Sequence, residues 1–179
     1  MNSSKQLRAI LQLPFIVVIM IPVLLILFFG KIHAAWSLSF PWNLILSVLG
    51  VISGAFGLLL MVQTIALFAK VGKGTLAPWD ATQNLVVLGP YRHTRNPMIT
   101  GVLLILFGEA IFLGSIPIVC WFTVFLVSNW IYIPLVEERG LEKRFGEAYR
   151  IYQTKVPRWL PHLRAWEKLF QSTKGGKRL

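Results

Sequence analysis

Two polar clusters interrupt an apolar chain of 179 residues. One is GPYRHTRNPMITG at 89–101, which carries Arg92, His93, Arg95, Asn96, Pro97 and Gly101. The other is the adjacent acid pair Glu137 and Glu138. Arginine clamps a carboxylate through parallel N–H groups. A carboxylate accepts hydrogen bonds from hydroxyls or an amine. Brought together, these groups suit a small molecule that carries both signs of charge and hydroxyls. They also suit an ordinary interfacial ion-pair network, with Arg92 and Arg95 touching lipid phosphate, since surface charge pairs are common and weak. His93 reads as a general base, with an ordinary pKa near neutrality, or as an interfacial side chain. Glu109 stands inside an apolar run, where an ionisable residue is a functional-site hypothesis by default. It either meets a substrate or is bonded by Gln63, Thr64, Ser128 or Asn129.

The elements that must position these residues are membrane spans. Apolar runs occupy 11–30, 44–69, 98–113 and 118–136. A spanning helix needs about 20 residues. The first, second and fourth runs qualify, and the third can extend through Gly114 and Ser115 to Ile116 before Pro117 starts the next helix. Gly114-Ser115-Ile116-Pro117 reads as a tight turn. The third and fourth runs are then an antiparallel hairpin, and both polar clusters fall at one membrane face. The first run, kinked at Pro14 and Pro22, reads as a span rather than a signal peptide, whose apolar core is only about 7–15 residues. The glycines at 50, 54 and 57 read as helix-packing positions.

Composition agrees. Hydrophobic residues make up 55% and charged residues 14%, against about 25% charged in a soluble domain. Lys and Arg number 18 against 7 acids, a net charge of +11. The cations flank the apolar runs: Lys5 and Arg8, then Lys70, Lys73, Arg92 and Arg95, then many beyond Arg139. That is the pattern of membrane-flanking segments, not of a nucleic-acid footprint. The positive-inside rule puts both termini in the cytoplasm, with Lys31 and His33 on the other side. His33 has no second ligand spaced near it, so no metal is expected. Cys120 is the one cysteine and reads as a small buried apolar residue. The 70–97 connection, with Trp79 and the β-like run Leu85-Val86-Val87-Leu88, reads as an ordered functional loop. Gly72-Lys73-Gly74-Thr75 lacks the spacing of a P-loop. After the fourth run, Leu141, Phe145, Ala148, Tyr149 and Tyr152 share one face of a single amphipathic helix that ends before Pro157. Trp159 and Trp166 suit the membrane interface, and the tail 171–179 reads as disordered. The expected fold is all-α and polytopic, about four spans with a C-terminal cytoplasmic amphipathic helix. The organisation is N-terminal transmembrane helices over 1–70, a catalytic region over 71–170 and the tail over 171–179.

The stretch GPYRHTRNPMITG is similar to the GPYRxxRHPxYxG motif of the isoprenylcysteine carboxyl methyltransferase family and of related membrane phospholipid methyltransferases. The acid pair followed by LEKRFGEAYRIYQTKVPRWLP resembles that family's second hallmark. The resemblance covers roughly 72–163. It implies a methyltransferase using S-adenosylmethionine at the cytoplasmic face. By position it implies cofactor contacts at Arg92, Arg95, Asn96, Pro97, Gly101, Glu137 and Glu138, with Tyr149, Tyr152, Pro157 and Arg158 helping to close the site. Asn96 stands where the family usually has histidine, and Ile99 where it often has tyrosine. Both departures point away from an isoprenylcysteine acceptor. The acceptor class implied is lipophilic: a lipid amine, an isoprenoid carboxylate or a small apolar metabolite. Sterol reductases resemble the same motifs but use NADPH, and are usually larger with more spans. A non-catalytic membrane protein is the third reading.

Overall fold

Long uncharged segments in lipid must satisfy their backbone internally, which for an unpaired chain means helices. The computed structural model describes residues 12–29, 38–67, 85–159, 161 and 166, and among them no strand forms. The elements are α1 (Gln12–Phe29), α2 (Trp42–Leu67), α3 (Pro97–Leu113) and α4 (Ile116–Tyr132). A π-helical turn (Ile133–Glu137) then runs without a break into α5 (Glu138–Phe145), and α6 (Glu147–Lys155) follows. Three helices are long and apolar enough to cross a membrane: α1, α2 and the continuous Ile116–Phe145 rod. The 17 residues of α3 give a length of about 25 Å, at the lower limit for a span. Outward-facing Phe28, Ile52, Leu59 and Trp130 are exposed, as lipid-facing side chains should be. The protein is a multi-pass α-helical membrane protein.

Lipid tails are as apolar as leucine, so helices in a bilayer associate by close packing rather than by hydrophobic expulsion. The antiparallel pair α2 and α3 does this through glycines. A methyl group on Gly57 would stand 2.5 Å from the Gly101 carbonyl oxygen, and one on Gly108 would stand 2.6 Å from that of Gly50. The Ser53 hydroxyl donates across the same seam to the Leu104 carbonyl at 2.8 Å. On the other side of α3, Val102, Ile105 and Leu106 pack with Val18 of α1 and, on α4, with Trp121, Phe122 and Phe125.

Pro22 explains a π turn in α1. The helix widens to a π turn over Ile16–Met20, in which the Ile21 N–H reaches the Ile16 carbonyl. The next donor in that register would be residue 22, and proline has none. The Val17 carbonyl it leaves free accepts a hydrogen bond from Trp121 Nε1 at 3.1 Å, which ties α1 to α4.

The hairpin turn forms where the sequence places it. Gly114 takes the left-handed conformation (φ 56, ψ 36) that ends α3, and buried Ser115 precedes α4. Three expectations need correction. Cys120 is exposed on the outer face of α4, because a lipid-facing position accepts an apolar thiol as readily as a core does. The amphipathic segment is two helices, since Gly146 (φ 55, ψ −130) breaks it between Phe145 and Glu147, and Ala148 is exposed. Leu85 to Leu88 pairs with no strand. It is an extended run whose alternate residues go to opposite sides: Val86 to Tyr91 and Leu67, Val87 to Tyr149, Tyr152 and Val156. Lys5, Arg8, Lys31, His33, Lys70, Lys73, Trp79, the 72–75 glycine run and the tail 171–179 lie outside the described residues.

Candidate functional site

Three segments meet at the end of the bundle where α3 begins and α4 ends. The first is the loop that leads into α3. A 3-10 turn over Gly89–Arg92 buries Tyr91, and Thr94 and Asn96 are buried behind it. The second is the α4–α5 junction. Pro134 lies within the π turn there, and such insertions occur often at functional sites. The third is the strap after α6, Val156 to Trp159, together with Trp166.

The strap is held by the polar groups of the loop. Arg95 N–H donates to the Pro157 carbonyl at 2.9 Å. The Thr94 hydroxyl donates to the carbonyl of Arg158 at 2.9 Å and lies 3.3 Å from that of Trp159. Asn96 Nδ2 reaches the Arg158 carbonyl at 3.4 Å. Arg92 Nε donates to the Trp166 carbonyl at 3.0 Å, and the Tyr152 hydroxyl to the Tyr91 carbonyl at 2.7 Å. Trp159 stacks on Trp130 of α4, with ring planes 5° apart. The side chains of Arg92, Thr94 and Asn96 thus meet backbone of the strap.

Glu138 is the centre. Its side chain is 7% exposed. Arg158 grips it as a fork, Nε to Oε1 at 2.8 Å and Nη2 to Oε2 at 2.7 Å. Arg95 Nη1 lies 2.9 Å from Oε1, and Gln153 Nε2 lies 3.5 Å from Oε2. A buried carboxylate costs several kcal/mol unless paired; here two guanidiniums flank it. Arg95 is only 10% exposed. Its Nη1 is close enough to Glu138 for charge attraction, yet neither Nη1 nor Nε makes a hydrogen bond of acceptable geometry. Nη1 is met by the charge of the Glu138 carboxylate, and the buried Nε is the donor left without a partner. The neighbouring phenols stay neutral. Burial, and secondarily the Glu138 charge, push Tyr149 up to about 12. Burial first and then Tyr149 push Tyr152 further still.

The acid pair divides. Glu138 is saturated by its cations, whereas Glu137 has no ion pair or hydrogen bond among the described residues and is half-buried. Pro97 is buried as the first residue of α3. Gly101 sits in the α2–α3 seam, against Gly57 and Met61, so its lack of a side chain has a packing reason. His93 closes the 3-10 turn two residues before Arg95. Glu109 is about 18 Å along α3 from Pro97, apart from the cluster. Its Oε2 is buried without a hydrogen-bond partner. The Thr64 hydroxyl donates to Met61 and the Asn129 amide to Phe125, while Gln63 and Ser128 are exposed. Sequence reasoning missed Thr94, whose hydroxyl bonds across to the strap. The only signal was a threonine set between two arginines in a turn.

A polytopic helical bundle with a polar site closed by its own C-terminal strap is the class these features define. The phospholipid methyltransferase family matches residues 42–148, more than half of the chain. The protein belongs to that family, and by class it is a membrane methyltransferase. The match takes in Arg95 and Glu138 but stops short of Arg158. No curated protein matches the chain.

Proposed function

We propose that this protein transfers a methyl group from S-adenosylmethionine to a phospholipid-type acceptor at the cytoplasmic membrane face. The observation that carries the reading is the buried Nε donor of Arg95, which has no partner, set close to Glu137, a carboxylate without a cation among the described residues. That N–H fits a carboxylate oxygen, and S-adenosylmethionine carries a carboxylate on its amino-acid end. Glu137 supplies a free carboxylate for the amino group or the ribose hydroxyls. Arg92, Asn96, Pro97, Gly101, Tyr149, Tyr152 and Arg158 then shape and close the site. Bound there, S-adenosylmethionine supplies an electrophilic methyl on a sulfonium centre.

The chain's own part is positioning. Glu138 fixes Arg95 and Arg158, and Arg158 fixes the strap. The strap, with Trp159 against Trp130, keeps water from the reacting atoms, where exclusion of solvent and alignment lower the barrier. Carboxylates close to the sulfonium would stabilise the ground state, so the neutralisation of Glu138 by two cations favours reaction. The acceptor enters from the bilayer, to which the outer faces of α2 and α4 are open.

The test has two parts. In neutral detergent the full chain should bind S-adenosylhomocysteine and not NADPH; binding of NADPH alone would make it a reductase, and binding of neither would favour a non-catalytic role. With labelled S-adenosylmethionine and extracted native membranes, label should enter the lipid fraction. Label confined to the aqueous phase would remove the lipid acceptor.

A further inference from the structure

At the α5–α6 elbow, Arg139, Glu142, Lys143 and Arg150 line a cleft of about 300 Å³. Arg150 Nε pairs with Glu142 at 2.6 Å. Arg139 and Lys143, one helical turn apart on α5, are exposed and have no ion-pair partner among the described residues. The cleft therefore holds two uncompensated cations beside a third whose charge is already met. Neither fold nor site uses them.

Their depth identifies the ligand. Ile116–Phe145 is one continuous 30-residue rod of about 45 Å, at about 1.5 Å per residue. The hydrocarbon core is about 30 Å thick, and about 40–45 Å with both headgroup layers. With the Gly114 turn at one edge of the core, Arg139 and Lys143 stand about 35 and 41 Å along the rod. Arg139 is then in the headgroup layer of the opposite leaflet, and Lys143 lies just outside it, with a side chain long enough to reach back to a phosphate. One turn earlier on the same rod, Leu135 and Val136 are 50% and 52% exposed at the edge of the hydrocarbon core. Apolar surface below and uncompensated cations above match one end of a phospholipid.

We propose that the α5–α6 elbow is a binding site for the headgroup of an anionic phospholipid, with Arg139 and Lys143 holding the phosphate and Arg150 closing the cleft. The site is separate from the Arg95–Glu138 cluster, and it stands whether or not the methyl-transfer reading holds.

The experiment titrates the full chain, in neutral detergent at 0.15 M salt, with short-chain phosphatidylglycerol, short-chain phosphatidylcholine and inorganic phosphate. Phosphatidylglycerol should bind saturably and at least tenfold more tightly than either of the others. The double substitution Arg139→Gln with Lys143→Gln should weaken it at least tenfold. Lys155→Gln, an equal loss of exposed charge per site but outside the cleft, should leave it unchanged. Equal loss from Lys155→Gln would mean general charge attraction, and wild-type affinity in the double variant would mean no site. Phosphate binding as tightly as phosphatidylglycerol would mean a free-anion site. Each of these outcomes overturns the proposal. All three side chains are exposed, and circular dichroism of the variants should match the parent.

Discussion

At the scale of single residues the two neighbouring acids have different roles, and substitution should separate them. Glu138→Gln keeps the shape and removes the charge, leaving Arg95 and Arg158 facing each other without an anion. Breaking a buried pair costs about 3–5 kcal/mol; Arg158 is one-third exposed, so the lower end applies. The strap should loosen before the spans do. Limited proteolysis would read this as new cleavage around Pro157, with helix content kept. Glu137→Gln should leave the melting temperature unchanged and weaken S-adenosylhomocysteine about tenfold. Equal destabilisation by both substitutions would contradict the division. The phenols give a pH signature. Tyr149 is raised to about 12, above the usual value near 10 of an unfolded chain. The neutral form is thus favoured by folding. Its contribution is complete below about pH 10 and is lost as pH rises toward 12. Absorbance at the tyrosinate band should show these phenols ionising together with loss of the strap.

At the scale of elements, glycines decide how closely helices approach. Gly57→Ala puts a methyl group 2.5 Å from the Gly101 carbonyl oxygen, whereas one on Gly54 meets nothing within 4 Å. Gly57→Ala should therefore cost about 1–3 kcal/mol, as overpacking does. Gly54→Ala should be neutral or gain up to about 1 kcal/mol of helix propensity. Thermal unfolding in detergent compares them, and equal effects would mean that the seam is not formed. The spans, the hairpin turn and the meeting of the two polar clusters at one face were legible because apolar run length and a Gly-Ser-x-Pro turn are local signals. The break at Gly146 was not. Its neighbours Leu141, Phe145, Tyr149 and Tyr152 keep a helical spacing through it, and only the positive φ of one residue interrupts them. Nor was the saturation of Glu138 legible, since Arg158 reaches it from a strap whose path no periodicity specifies. The extended 85–88 run showed its alternation in sequence, but burial by helices and loop, not a sheet, gives that alternation its use.

At the scale of the whole molecule, charge divides the protein into two ends. Among the described residues every Lys and Arg lies in the loop before α3 or beyond the α4–α5 junction: Arg92, Arg95, Arg139, Lys143, Arg144, Arg150, Lys155 and Arg158. The opposite end, from Phe40 to Trp42 and from Gly114 to Pro117, has none. A charged side chain is expensive to carry through hydrocarbon, and cations are retained on the cytoplasmic side. The asymmetry also suits the proposed chemistry, in which an ionic nucleoside cofactor would come from the cytoplasm and the acceptor from the bilayer. The orientation has a direct readout. Trypsin cuts after Lys and Arg, and α5 and α6 expose Arg139, Lys143, Arg144 and Lys155. Added to intact cells, it should leave the C-terminal half whole; added to inverted membrane vesicles, it should remove the segment beyond α4. Cleavage in intact cells would place the Arg95–Glu138 site on the outer face, where the proposed cofactor would not reach it.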